Sequence, residues 1–334
     1  MFLTPEPQRH RKDTRLTVCI AATCENGTVV VGAADRMLTS GDIEFEPVQT
    51  KIINLTSSIV ALISGDASFQ VEVLYKVRDE VEARVKAQPT TWLRVEEVAQ
   101  IYIKHWSSIR RNRAETQVLT PLGLDSGSFI SGQQLMSPQL VDKLAAELLN
   151  YEVPDATTIF AGVDDIGAHV YTTRGGRMSC DDAAGFSAIG AGAWHADSQL
   201  MFGGHTKFTT FADTLLLTYS AKKRSEVAPG VGSATDMFYI GPQLGSYVFV
   251  GQHVLTRLET IYQEEQKRQA RARQKSKEKT YEYIAELSKA STPKEQGEVS
   301  KDTGRTEPTN PEGIIADQQQ PNPKGDEKGK QGEN

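Results

Sequence analysis

Cysteine is scarce in this chain: Cys19, Cys24 and Cys180 are the only three in 334 residues. An odd number without metal-type spacing supports neither a disulfide framework nor a zinc site, and a reducing cytoplasm is the compartment it fits. Long apolar runs are also missing. None reaches the roughly 18 residues that a spanning helix needs, and the polar, basic start Met1–Arg15 has no apolar segment of the secretory kind, so neither membrane insertion nor secretion is expected. Basic charge is not in excess either: 37 Lys and Arg stand against 43 Asp and Glu, a net charge of −6. The apolar-patterned part carries no sustained basic stripe with interleaved aromatics, and nucleic acid is not an expected partner. No internal repeat of solenoid length occurs.

What remains is the composition of an ordinary globular protein, 38% hydrophobic and 24% charged, long enough to bury one large core or two small ones. Asn26-Gly27 lies between the strand-like runs Thr17–Thr23 and Thr28–Ala33 and predicts a hairpin, because both turn positions tolerate positive φ. Both runs are almost continuously apolar, which predicts a sheet covered on both faces. Lys51–Leu55 and Ser58–Ser64 read as two more strands. Val71, Leu74, Val77, Val81 and Val85, and then Val95, Val98, Tyr102, Trp106 and Ile109, recur at helical spacing and predict two helices on one sheet face.

The pattern lapses between Asn112 and Ser137, which reads as a loop, and Ser137-Pro138 then starts a helix through Leu149. Thr157–Gly162, Ala168–Thr173 and Met178 suggest a meander separated by tight turns. Phe208–Tyr219 restores a helix, and Met237–Ile240 and Tyr247–Val250 read as the last strands. A long helix follows from about His253 to Ser288, largely charged or polar from Gln263 to Lys279. From Ala290 to Asn334 there are no aromatics, several Pro and Gly, and a Gln318–Gln320 tract, a composition that predicts disorder.

One spaced set carries chemistry. Thr17 opens an apolar strand, Asp35-Arg36 follows the hairpin, Lys51 comes sixteen residues after Asp35, and Gly65 fourteen after Lys51. A threonine hydroxyl is a weak nucleophile, and one way to activate it is to place it first in the chain so that its own α-amine serves as base. That amine has a reference pKa of roughly 7.7–8.0, suited to the task. Taken singly, each residue has a plain structural alternative: a strand threonine, a strand-edge lysine, and turns at Asp35 and Gly65.

The order of elements, together with Asp35-Arg36, Lys51 and Ser64-Gly65-Asp66 at these spacings, resembles the Ntn hydrolases, specifically proteasome β-type subunits. Thr157–Asp164 with His169-Val170-Tyr171 resembles that family's second sheet, Gly190-Ala191-Gly192 its G-S-G turn, and Lys222–Gly232 its closing R-D-x-x-S-G-G region. Thr17-Val18-Cys19-Ile20-Ala21 is most similar to the start of the Anbu-type bacterial relatives. The resemblance implies an α+β fold, a four-layer αββα sandwich over residues 17–250, preceded by an extension (1–16) and followed by a charged helix (251–289) and a disordered tail (290–334).

It also implies roles: Thr17 as nucleophile, Asp35 and Lys51 as the groups that set its charge environment, and Gly65 as oxyanion donor. Implied partners are a peptide or amide substrate and further copies of the chain in a ring or spiral, with an ATPase or adaptor as a further candidate. No cofactor or metal is called for. Departures are visible too: Ala191 and Ala228 stand where supporting serines would lie, the second aspartate falls on Ser225 or Glu226, and the first hairpin is two residues longer.

Other residue groups are weaker signals. His195-Ala196-Asp197 with His205 lacks a third fixed ligand and reads as a polar helix start. Gly190-Ala191-Gly192 lacks the third glycine of a dinucleotide fingerprint and reads as a turn. Asp164-Asp165 and Asp181-Asp182 are adjacent acids of turns rather than a glycosidase pair.

Sixteen residues precede Thr17, and while joined they turn its amine into an amide. Autoproteolysis after Leu16, or translation initiated at Leu16 with removal of the resulting methionine, would each free it. Three functions follow: a threonine-type peptidase or amidohydrolase of the cytoplasm, a non-catalytic proteasome-like scaffold that recruits partners through its C-terminal helix and tail, or a small-molecule amide hydrolase on the same fold.

Overall fold

A computed structural model of the chain describes residues 17–40, 43–48 and 50–290. The predicted extension, residues 1–16, and the predicted tail beyond Ala290 lie outside the described residues. Strands β1 (Cys19–Cys24) and β2 (Val29–Asp35) form the expected hairpin, and every residue of both is buried. Their connection is longer than a two-residue Asn-Gly turn. Glu25, Asn26 and Gly27 all take positive φ (51°, 59° and 74°), and the Glu25 and Gly27 amides donate to the carbonyls of Thr209 and Lys207 at 3.0 and 3.2 Å. The turn is shaped by the segment it packs on.

A small hairpin, β3 (Leu38–Ser40) and the exposed β4 (Ile43–Phe45), precedes β5 (Ile52–Asn54) and β6 (Ile59–Gly65). Helix α1 (Ala67–Ala87) begins at once because Asp66 caps it, accepting the Phe69 amide. Helix α2 (Val95–Val118) extends past the predicted boundary. The expected loop from Asn112 to Ser137 is in fact the end of α2, a short α3 (Ser126–Gly132) capped by Asp125, and two 3₁₀ turns. Leu119 and Phe129 explain the difference: they are buried together with Leu144 of α4 (Pro138–Leu149), which gives an otherwise polar segment its own small core.

Strands β7 (Ala156–Val163), β8 (Ala168–Arg174) and β9 (Arg177–Cys180) form the meander. Next comes β10 (Phe186–Ile189), which the sequence pattern did not suggest, followed by α5 (Ala193–Phe202) and α6 (Phe211–Ser225). The last strands are β11 (Thr235–Ile240) and β12 (Val248–Phe249), and α7 spans Gln252–Ala290. No helix among the described residues is long and apolar enough to cross a membrane.

The fold is α+β, with two antiparallel five-stranded sheets in the orders β10-β1-β2-β11-β12 and β5-β6-β7-β8-β9. Side chains alternate across each strand, so each sheet has two apolar faces to cover. Cys19, Ala21, Val30 and Phe238 of the first sheet meet Leu62, Ile159 and Val170 of the second. On the far side of the second sheet, Phe160 and Ala61 pack with Phe69, Val73 and Tyr102 of α1 and α2. On the far side of the first, Ile20 and Ala22 pack with Ala196, Leu200 and Ala221 of α5 and α6. Truncating a buried side chain such as Phe160 to alanine would cost about 3–5 kcal/mol.

The chain divides after Ala272 into two units. In the first, Leu255 and Leu258 of α7 are buried against Tyr219 and Met237. In the second, residues 273–288 are exposed throughout, in keeping with their charge.

Candidate active site

The ladder that joins β1 to β2 sets Cys19 opposite Ala34, and the Asp35 amide donates to the Val18 carbonyl at 3.1 Å. Thr17 therefore comes to lie beside the Asp35 side chain. Lys51 arrives from the other sheet, one residue ahead of β5. The Thr17 hydroxyl donates to Asp35 Oδ1 and accepts from Lys51 Nζ. Lys51 Nζ also donates to the same Asp35 oxygen at 2.9 Å. All three residues are buried, Thr17 with 3% of its surface exposed.

Asp35 is fixed by backbone donors as well. The Val18 amide donates to Oδ1 at 3.0 Å, and the amides of Met37 and Gly232 donate to Oδ2 at 3.0 and 3.1 Å. A buried carboxylate needs such partners, because an unpaired charge in this position is strongly destabilising. Beside it, Arg36 Nε donates to both carboxylate oxygens of Asp236 at 3.0 Å, tying β2 to β11.

Thr17, Asp35 and Lys51 are thus brought into direct contact. Gly65 makes no hydrogen bond to them among the described residues. It ends β6 at φ 101°, and a Cβ there would stand 2.2 Å from the Asp155 carbonyl oxygen, so the position requires glycine on backbone grounds alone. Strand β6 still reaches the cluster from below: the Ile63 amide donates to the Lys51 carbonyl at 3.3 Å, and the Cys19 thiol donates to the Ile63 carbonyl at 3.4 Å. Burial pushes the Cys19 thiol up to about 12, with Lys51 acting in the opposite direction. Cys19 is therefore no rival nucleophile.

The turn Gly190–Gly192 packs on the backbone of Thr17. The Gly192 amide donates to the Thr17 carbonyl at 3.1 Å, and Ser225 Oγ, fully buried on α6, has its one proton between the Gly192 carbonyl at 3.0 Å and the Ala221 carbonyl at 2.8 Å. Ala191 and Ala228 bring only methyl groups to this neighbourhood, both packed with the β1 and α5 apolar cluster. Of the two residues on which the second aspartate would fall, Ser225 serves this turn, and Glu226 accepts from Lys222 at 2.6 Å.

A cavity of about 270 Å³ shares Lys51 with the cluster. Leu38, Ile63 and Val71 give it apolar walls, and Tyr75 and Arg78 line it too. Val71, which the periodicity assigned to the core face of α1, is 42% exposed because it faces this cavity.

The weaker sequence candidates take structural places. His205 Nε2 lies 3.1 Å from the Thr23 carbonyl with its ring edge-on to Phe186. Asp165 pairs with Arg94, and His169 sits between Asp164 at 3.4 Å and Asp182 at 2.6 Å. Among the described residues, no group of three or more His, Cys, Asp or Glu is arranged to hold a metal ion.

The sequence placed Lys222 and Gly232 only as the bounds of the segment resembling the closing R-D-x-x-S-G-G region, without individual roles, and gave no signal for Asp236. A signal existed for Lys222: it falls four residues after Thr218 and eight after Thr214, in phase with the buried face of α6.

Chemically, an ammonium against a hydroxyl favours its ionised form, and a carboxylate holds both in place. The chain matches no protein-family model and no curated protein sequence.

Proposed function

We propose that the protein is a threonine-type N-terminal-nucleophile hydrolase of proteasome-like type that cleaves peptide or amide bonds in the cytoplasm. The observation that carries this reading is the buried cluster in which the Thr17 hydroxyl lies between Asp35 and Lys51. The packing order helices, sheet, sheet, helices supports a four-layer αββα sandwich.

Once Thr17 is freed, its hydroxyl attacks the substrate carbonyl and its α-amine takes the proton, directly or through water. The α-amine passes that proton to the leaving nitrogen as the C–N bond breaks and the amine product departs. The acyl group stays on Oγ1 as an ester, and water hydrolyses the ester to the acid and regenerates the hydroxyl. Lys51 stabilises the developing alkoxide, Asp35 fixes Lys51, and the Gly65 amide serves the oxyanion. The cavity beside Lys51 is sized for one apolar side chain of the substrate. Further copies of the chain complete a ring or spiral.

A second reading, the non-catalytic scaffold, draws on the burial of Thr17 and on the methyl groups at Ala191 and Ala228. One experiment separates them. The natively expressed protein and its Thr17→Ala variant are assayed on peptides and on small amides, and their N-termini are sequenced. A chain that begins at Thr17, with hydrolysis lost in Thr17→Ala, is expected. Hydrolysis of small amides alone selects the small-molecule amidase. A chain that retains residues 1–16, with both proteins equally inert, selects the scaffold.

A further inference from the structure

Lys222 has no exposed surface and ranks among the largest fully buried side chains of the protein. Buried lysines are rare, and an ammonium has three donors that must all be used. Here they are: Nζ donates to the Gly232 carbonyl at 2.9 Å, to the Ser233 carbonyl at 2.8 Å and to Glu226 Oε1 at 2.6 Å. Two of the three acceptors are backbone, in a connection between α6 and β11 that has no ladder of its own.

That connection matters because Gly232 faces both ways. Its carbonyl accepts from Lys222, and its amide donates to Asp35 Oδ2 at 3.1 Å. Asp35 Oδ1 in turn holds Thr17 and Lys51. The connection is gripped from the other side by Glu46, whose Oε1 accepts the Ala234 amide at 3.0 Å. A Cβ at Gly232 would stand 2.0 Å from that same oxygen, so the Glu46 carboxylate lies directly against the Gly232 backbone.

We propose that Lys222 is a positioning residue for the Thr17 site: its buried ammonium clamps the Gly232–Ser233 carbonyls and so keeps the Gly232 amide on Asp35. The catalytic part of this inference rests on the hydrolase reading, while the clamp itself does not.

The test compares the full 334-residue protein with Lys222→Met and Glu226→Gln. Amide hydrogen exchange of peptides covering residues 229–236 reads the clamp without any need for activity. Lys222→Met should speed exchange at Gly232 about 10-fold or more, the signature of local opening, while Glu226→Gln, which leaves both carbonyl bonds, stays within about twofold. Equal exchange in Lys222→Met and wild type overturns the clamp, and so does an equal acceleration in both variants, since the ion pair alone would then be responsible.

Should Lys222→Met not fold, Lys222→Gln takes its place. Its amide nitrogen ends one bond short of the ammonium and cannot reach both carbonyls at once, so exchange faster than in wild type is expected; an unchanged rate overturns the clamp.

If the wild type hydrolyses amides, Lys222→Met should lower kcat roughly 10- to 100-fold with KM within about twofold, as misplacement of a reacting group does. Equal losses in kcat and in the folded fraction would make the lysine merely structural. A wild type inert on every substrate removes the hydrolase reading and leaves the exchange result to decide the clamp.

Discussion

Gly190 lies so close to Thr17 that a Cβ on the glycine would stand 2.2 Å from the threonine carbonyl oxygen and 2.7 Å from its methyl carbon. The glycine also has φ 94°. Gly190→Ala should therefore cost more than the roughly 1–2 kcal/mol of an ordinary left-handed residue, because backbone cannot move aside as a side-chain tip does. Gly175→Ala is the control: φ is 56° and nothing stands within 4 Å of the new atom. Urea denaturation of both variants checks this, and equal losses would show that the contact with Thr17 is immaterial.

The buried Lys51–Asp35 pair predicts strong coupling. Lys51→Met leaves a carboxylate with three backbone donors but no counter-ion, and should cost about 3–5 kcal/mol. Combining it with Asp35→Asn removes the stranded charge, so the double variant should be more stable than the sum of the two losses predicts. Strict additivity in denaturant unfolding would contradict the pairing.

His169 gives a pH signature. The carboxylates of Asp164 and Asp182 hold its imidazolium and raise it to about 10, against the effect of partial burial. The folded value lies above the unfolded one, so this stabilisation is complete below about pH 6.5 and drains away as pH rises towards 10. His169→Gln should lose stability at pH 6 and flatten the decline between pH 7 and 10. Parallel profiles for the two proteins would sink the assignment.

Asp197 acts with the opposite sense. Burial, with Asp181 adding to it, raises its carboxyl to about 6. The folded state then keeps a proton that the unfolded state has lost, and stability falls as pH climbs from about 4 to 6. Asp197→Asn should be more stable than wild type at pH 7 and indistinguishable from it at pH 3.5. A thermal melt at each pH decides.

Much of this was legible in the chain. The hairpin announced itself through Asn26-Gly27, and β7 and β8 through short apolar runs bounded by turns. The spacing of Thr17, Asp35 and Lys51 pointed to residues that do meet. What escaped depends on tertiary partners. Phe186–Ile189 is too short to show a period and is a strand because β1 needs an edge neighbour. Residues 112–137 look like a loop, rich in Gly and Ser, and become helical through the burial of Leu119 and Phe129. Lys222 lies in phase with the buried face of α6, but the acceptors that hold its charge inside belong to a later connection and show only in the fold.

Thr17 and Asp35 belong to one sheet, whereas Lys51 is carried by the other. The three-residue cluster does not exist within either sheet alone, and local hairpin formation cannot assemble it. A chain whose two sheets have not yet met therefore lacks the full cluster: the hairpin can bring Thr17 to Asp35, but Lys51 joins them only when the interface between the sheets closes. Any bond-cleaving capacity would thus arrive together with the finished fold, sparing the unfinished chains around it.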